Sequence, residues 1–508
     1  MKYADHFESL QIEPIAGPSD ETAGANGGSE LSLDPVNWRQ FREMAHAALD
    51  DALDFVQTVR ERPVWKALPE HVRANLASAA PITGQSLDQV YEEFCENVLP
   101  YATGNIHPRF FGWVHGSGLP SNIIAEILAA AMNVNCGGRD HAAIYVERAV
   151  LGWCKEWFQF PAESTGLLVS GTSMANLIAL TVARNACLEN VRKTGLRRQE
   201  RELVAYASCE VHESVGKAFE VLGLGACALR KIEVDDAFRI NVAALRLQIA
   251  LDRAAGLYPF CVIGCAGTVN NGAIDDLDGL ASICREEDLW FHVDGAFGAL
   301  CILNEELRDR LTGIERSDSI AFDFHKWAHV QYDCGCVLVR QGDLHRAAFS
   351  MRPPYLEDMH RGLAGGIDWP CEFGIELSRG FRALKVWFAL KEHGTLKLGQ
   401  LIKQNCDQAQ YLRSLVLNEP RLELMAPAPL NIVCFRFRQE GADPEALDCL
   451  NEAIVTELQL SGVAAPSTTR ICGHLAIRVN ITNHRTRYAD LDLLIGAILA
   501  IGEAHLGE

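Results

Sequence analysis

Between Asn105 and about Arg340, short apolar, β-branched runs alternate with longer stretches of helical periodicity, and this pattern constrains the fold more than any other feature. The runs are Gly166–Ser170, Leu203–Ser208, Cys261–Ala266, Leu289–Val293, Ser319–Phe322 and Cys336–Arg340, each followed by a turn signal or a helix. Strands that are apolar throughout and separated by helices predict parallel crossovers and a buried sheet with helices on both faces. Ligands of such sheets sit past the carboxyl ends of the strands, so the residues there are where chemistry is sought.

The flanks differ. Residues 11–30 are rich in Pro, Gly, Ser and acids, and residues 1–30 read as a flexible lead-in. Residues 31–104 carry two amphipathic helical stretches with little to bury against each other, and read as a layer laid on another domain or subunit. Residues 105–380 form the large alternating region. From 381 to 508, helical segments and two strand-like runs, Ile432–Phe437 and Leu475–Ile481, predict a small α+β domain.

Three strand ends stand out. Ser170-Gly171-Thr172-Ser173 opens a helix, where free backbone N–H groups and the helix dipole suit a phosphate, although plain helix capping uses the same residues. Asp294 follows the apolar Leu289–Val293 and is expensive to bury without a positive partner, unless it merely caps a turn. Lys326 stands between His325 and Trp327, where burial near aromatic and cationic groups would turn a lysine into a carbonyl nucleophile; a snorkelling surface lysine is the bland alternative. A phosphate cradle, a carboxylate for a ring nitrogen and an aldehyde-reactive lysine on one sheet are together what pyridoxal 5'-phosphate requires. His212, past the strand ending at Ser208, adds an imidazole to stack on the ring.

These residues, His212 apart, lie among the motifs His107-Pro-Arg-Phe-Phe-Gly112, Ser170-Gly-Thr-Ser-Met-Ala-Asn176, His292-Val-Asp-Gly-Ala296, Asp323-Phe-His-Lys-Trp327 and Phe381-Arg-Ala-Leu-Lys-Val-Trp387. In order and spacing the chain resembles the pyridoxal-dependent group II amino acid decarboxylases, and the aromatic-L-amino-acid decarboxylases among them. The resemblance implies an α/β chain of PLP-dependent transferase fold type I (aspartate-aminotransferase-like), with a mostly parallel central sheet and a small α+β C-terminal domain. It also implies a homodimer with active sites at the interface, residues 31–104 packing on the partner. By motif, Lys326 is the Schiff-base lysine, Asp294 the pyridinium partner and His212 the stacking histidine. Gly171, Thr172, Ser173, Thr268, Ala296, Asp323 and His325 are the further cofactor-binding positions. Asp323 replaces a phosphate-binding asparagine of many relatives, and a carboxylate there repels phosphate unless protonated or turned away.

The expected substrate is a small L-amino acid. Its side chain would meet a wall of Phe110, Phe111, Trp113, Val114 and His115, which favours an aromatic substrate decarboxylated to its amine. His115 and Arg109 keep an acidic substrate (glutamate, aspartate or cysteine sulfinate) in view. Aromatic relatives place a proton-donating tyrosine on the loop corresponding to Glu357–Glu376, which has none here. That leaves His360 or Tyr332 as donor, or oxygen-dependent conversion to an aldehyde. A catalytically silent binding subunit is the non-enzyme reading, opposed by the presence of Lys326, Asp294 and His212.

Composition narrows the partners. The formal charge is −20, opposite to that of nucleic-acid binders, and no run is long and apolar enough to span a membrane, so neither partner is expected and a cytoplasmic location is. The odd number of cysteines, 17, sits mostly in apolar runs and predicts free thiols. Cys334-x-Cys336 lacks a second pair or histidine cluster, so no metal is expected.

Overall fold

The computed structural model describes residues 31–198, 202–351, 362–365 and 368–507; the lead-in and His360 lie outside them. Among the described residues, those up to Ala52 form one compact unit and those from Leu53 onward another.

Among the described residues, twelve strands form two sheets: β1 Phe110–Phe111, β2 Thr165–Val169, β3 Leu203–Ser208, β4 Leu229–Ile232, β5 Tyr258–Cys265, β6 Trp290–Asp294, β7 Ser319–Asp323, β8 Gly335–Val339, β9 Leu422–Leu424, β10 Ile432–Phe437, β11 Ala465–Ile471 and β12 His474–Asn480. The large sheet has the order β2-β8-β7-β6-β5-β3-β4. Its neighbours pair parallel except β8, which runs antiparallel to both β2 and β7. The sheet is therefore mostly parallel, and β2, β3, β5, β6 and β7 all end on one edge.

Side chains alternate across each strand with period two. Leu168, Val204, Tyr206, Val262, Phe291, Ile320 and Leu338 join a core on one face with Ile144, Leu245, Leu280 and Val386 of four helices. Leu167, Val169, Ala205, Ile263, Ala321 and Val337 join a separate core on the other face with Ala179, Val215 and Ala348. Helices thus cover both faces, which is why the strands read as continuous apolar runs.

A buried ion pair ties the edge strand to the chain entering the small sheet. Arg379 meets Glu147 at 2.6 Å with both side chains almost fully buried. The Glu147 carboxylate also accepts from the Leu168 N–H, and the guanidinium donates to the Leu168 carbonyl. The long helix Arg382–Asn418 follows, broken at Gly394, whose φ of 70° lies in the left-handed region.

The small sheet has the order β1-β11-β12-β10-β9 and its own core around Phe435, Phe437 and Ile477. It recruits β1 from far upstream: Phe110 pairs with Ala465 and Phe111 with Pro466. Among the described residues, no helix is long and apolar enough to cross a membrane and no His/Cys/Asp/Glu cluster is arranged for a metal. All seventeen cysteines are free.

Candidate active site

The carboxyl ends of β2, β3, β5, β6 and β7 open onto a cavity of about 540 Å³, within the range of small-molecule sites. Gly171, Thr172, Ser173, His212, Thr268, Asp294, Ala296, Asp323, His325 and Lys326 all line it, with Trp113, Val114 and His115 on its wall. The helix Thr172–Cys187 begins here, directly after β2. The Thr172 hydroxyl oxygen at its first turn is buried without a hydrogen-bond partner. An orphaned hydroxyl at a helix N-terminus is a ready site for an anion.

Asp294, the last residue of β6, is 5% exposed. One carboxylate oxygen accepts from the Ala296 N–H and the other from Asn176 Nδ2 at 2.9 Å. Because an ionised carboxylate only accepts, Asn176 must present its nitrogen to Asp294 and its oxygen to His292 Nε2, 2.9 Å away. His292 therefore donates from Nε2 and accepts at Nδ1 from Ser319 Oγ, 2.9 Å away, and Ser319 in turn accepts from the Trp290 indole. Burial pushes the His292 imidazole down to about 4, which keeps this relay neutral.

Lys326 lies three residues past β7, its Nζ 3.0 Å from Asp323 Oδ2. The other Asp323 oxygen accepts from the Thr172 N–H at 2.7 Å. Asp323 is thus not turned away from the cradle, as phosphate binding would favour; it bridges the helix N-terminus and the lysine. His325 accepts the Cys334 N–H at Nδ1, which leaves Nε2 to face Asp323 Oδ2 at 3.6 Å. His212 caps the helix Glu213–Val221, taking the Ser214 N–H on Nδ1, so Nε2 remains available to the cavity. The Thr268 hydroxyl donates to Asn271 within its own turn.

The wall corrects part of the sequence reading. Phe110 does not line the cavity: it is buried against Val64 and Ala465, with its ring behind Trp113 and His115. Phe111 points to the opposite face of the same short strand, into the small-sheet core. Arg109 is turned away as well, donating to the Val463 carbonyl and standing 4.0 Å from Asp490. Trp113 takes a left-handed backbone with φ of 47°, and buried Arg478 donates to its carbonyl at 3.0 Å. A Cβ on Gly116 would collide with the His325 and Lys326 carbonyls, so only glycine lets this wall close on the lysine segment.

Several lining residues escaped the sequence reading, among them Glu210, Ser214, Cys265, Val269 and Phe297. Asn176, beneath the cavity, was part of a quoted motif but unassigned; an amide in the first turns of an otherwise apolar helix was its signal. Tyr332 joins the wall with its ring 4.3 Å from that of His325. Of the described part of the loop, Trp369 packs under the Arg139 guanidinium.

The donor set fits pyridoxal phosphate: a helix N-terminus with an orphaned hydroxyl, a buried carboxylate, an available imidazole and a primary amine share one cavity.

Comparison with known proteins agrees. The family described as "Pyridoxal-dependent decarboxylase conserved domain" matches residues 69–438. An aromatic-L-amino-acid decarboxylase of Bacillus atrophaeus is 36% identical over 468 residues, covering 91% of this chain and 96% of the relative. The structure of Oryza sativa TDC with PLP and tryptamine superposes with a TM-score of 0.86 at 25% identity, over 93% of this chain and 100% of that one. Rhodiola rosea 4-hydroxyphenylacetaldehyde synthase gives 0.83 at 25% identity, over 93% and 99%.

Proposed function

The chain belongs to the pyridoxal-dependent decarboxylases, and on that premise we propose that it converts an aromatic L-amino acid to the corresponding amine and CO2. The observation that carries the substrate class is the cavity wall. Trp113, Val114, Phe297 and Tyr332 line it, and no arginine does so among the described residues. An acidic side chain would find no guanidinium there, and Glu210 would repel it. The Bacillus and Oryza relatives, whose names and ligand are aromatic, support the same class.

The bound cofactor supplies an electron sink for the pair left at Cα when the carboxylate departs as CO2. Lys326 would provide the amine that holds its aldehyde. Asp294 would face the ring nitrogen, with Asn176 and the Ala296 N–H fixing its orientation. His212 would stack on the ring, its direction set by the Ser214 N–H. Thr172, Ser173 and Gly171 would take the phosphate on the helix N-terminus. One proton must return to Cα for each CO2 lost.

The N-terminal segments favour a homodimer. Neither Trp38–Gln57 nor Leu87–Asn97 has a buried residue, although each exposes large apolar side chains: Trp38, Phe41 and Leu53 on the first, Leu87, Val90 and Phe94 on the second. Residues 31–104 are accordingly assigned to cover a second copy in a cytoplasmic enzyme. Residues 105–380 hold the cofactor and 381–508 form the smaller domain.

A second reading rests on one feature: the stretch Glu357–Glu376 has no tyrosine, and the Rhodiola relative is named for an aldehyde product. Incubating the cofactor-loaded protein in air with aromatic and acidic L-amino acids separates the readings. Aromatic amines are expected. Aldehyde with ammonia and peroxide would establish the second reading, and turnover confined to acidic substrates would overturn both. Borohydride reduction followed by peptide mapping is expected to place the pyridoxyl group on Lys326.

A further inference from the structure

His115 is half-buried in the cavity wall between three aromatic rings, those of Phe110, Trp113 and Tyr332, at centroid distances of 5.7, 6.0 and 6.0 Å. Among the described residues, neither of its ring nitrogens has a hydrogen-bond partner, whereas the histidines near the lysine are committed: His325 accepts a backbone N–H and His212 caps a helix. The Tyr332 hydroxyl oxygen next to it accepts from the Gly116 N–H. An imidazole left with open polar atoms on an apolar, ring-lined wall is a hydrogen-bonding tip waiting for a ligand group.

Its place gives the kind of group. Its neighbour Gly116 packs against the His325 and Lys326 carbonyls, and Tyr332 lies between its ring and that of His325, so it stands on the lysine side of the cavity. A substrate held at Lys326 would have its side chain within reach of the wall that carries His115, since both line one cavity. We propose that His115 is a specificity residue that reads a hydrogen-bonding group on the substrate's aromatic ring, a phenolic hydroxyl or an indole N–H, so that the enzyme discriminates against phenylalanine.

This inference rests on the aromatic reading above. Burial and the neighbouring cations push the His115 imidazole down, which leaves it neutral at pH 7 with one donor and one acceptor nitrogen. A neutral imidazole pairs with a phenol or an indole. It has no charge with which to hold a carboxylate side chain.

The test compares tyrosine, tryptophan and phenylalanine as substrates of wild type, His115→Leu and His115→Gln. In wild type, kcat/KM for tyrosine or tryptophan should exceed that for phenylalanine by about tenfold or more, since a site built around a hydrogen bond rejects the analogue lacking it. Whichever of the two is favoured identifies the group read. His115→Leu should bring the ratio within about threefold by losing on the polar ring alone, and His115→Gln should restore part of it. A binding arm compares 3-(4-hydroxyphenyl)propanoate and 3-(indol-3-yl)propanoate with 3-phenylpropanoate, none of which has the amine of a substrate. The one that carries the group read should bind wild type about tenfold more tightly than 3-phenylpropanoate, and His115→Leu should erase the difference. Aromatic turnover with ratios unmoved by His115→Leu, or equal binding of all three propanoates to wild type, would overturn this inference while leaving the decarboxylase reading intact. Absence of any aromatic turnover would overturn that reading, and the three propanoates would still decide the role of His115.

Discussion

Removing the Asn176 amide should be among the most damaging single changes beneath the cavity. Its nitrogen donates to Asp294 at 2.9 Å and its oxygen accepts from His292 Nε2 at 2.9 Å, with the side chain fully buried. Asn176→Leu keeps nearly the same volume but deletes both bonds. Losing a hydrogen bond to a buried charge is worth about 1.5–3 kcal/mol, and stranding the His292 N–H adds about 1–3 kcal/mol, so the change should cost about 3–5 kcal/mol of stability. A tautomer switch does not rescue His292, because it would aim the Nδ1 proton at Ser319 Oγ, whose own proton would then have to leave the relay. Urea denaturation of the cofactor-free protein, followed by fluorescence, measures the loss, and equilibrium titration should show weaker binding of pyridoxal phosphate. A variant within about 1 kcal/mol of wild type would refute the relay as a connected network.

Other expectations follow from the same contacts. Glu147→Ala leaves the Arg379 guanidinium buried without its partner and should destabilise by about 3–5 kcal/mol in the same denaturation assay, whereas a loss below about 1 kcal/mol would contradict the pairing. His292 and His345 are buried, and burial lowers each imidazole to about 4. The unfolded chain takes up these protons near pH 6.5 and the folded chain does not, so stability should be full above that pH and fall as pH drops towards 4. Each contributes roughly 3 kcal/mol, read from denaturation midpoints against pH. Asp323→Asn removes a carboxylate from the Thr172 N–H that the phosphate is proposed to use, and should tighten pyridoxal phosphate binding by about tenfold in an equilibrium titration; unchanged or weaker binding would show that the carboxylate does not compete.

The parts of the fold most legible in sequence were those in which burial dictates residue type on both sides of a strand. β3 and β10 match their predicted runs at both ends, and β2, β5, β6, β7 and β8 lie within a few residues of theirs, because each is sandwiched between two cores and can be apolar throughout. β4, Leu-Arg-Lys-Ile, was illegible because it is the sheet edge, where charged side chains are tolerated and guard against mispairing. β11 was missed for a related reason: its Ser-Thr-Thr-Arg stretch is partly exposed. Strand ends pointed to the residues that meet in the cavity, since topology alone carries them to one edge. The wall was harder to read. Phe110 and Phe111 look like pocket residues in sequence, but a two-residue strand pairing with β11 turns one onto Val64 and Ala465 and the other into the small-sheet core. Contacts between segments far apart in sequence, such as Arg478 with Trp113 or Asp323 with Thr172, have no local signature at all.

The central claim concerns one bond and one atom, and isotopes test it directly. Carboxyl-labelled tyrosine supplied to the loaded enzyme in heavy water should yield one labelled CO2 for each tyramine, and each tyramine should carry a single deuterium at Cα. Label retained in the product, or an aldehyde in place of the deuterated amine, would contradict decarboxylation with proton return as the reaction of this site.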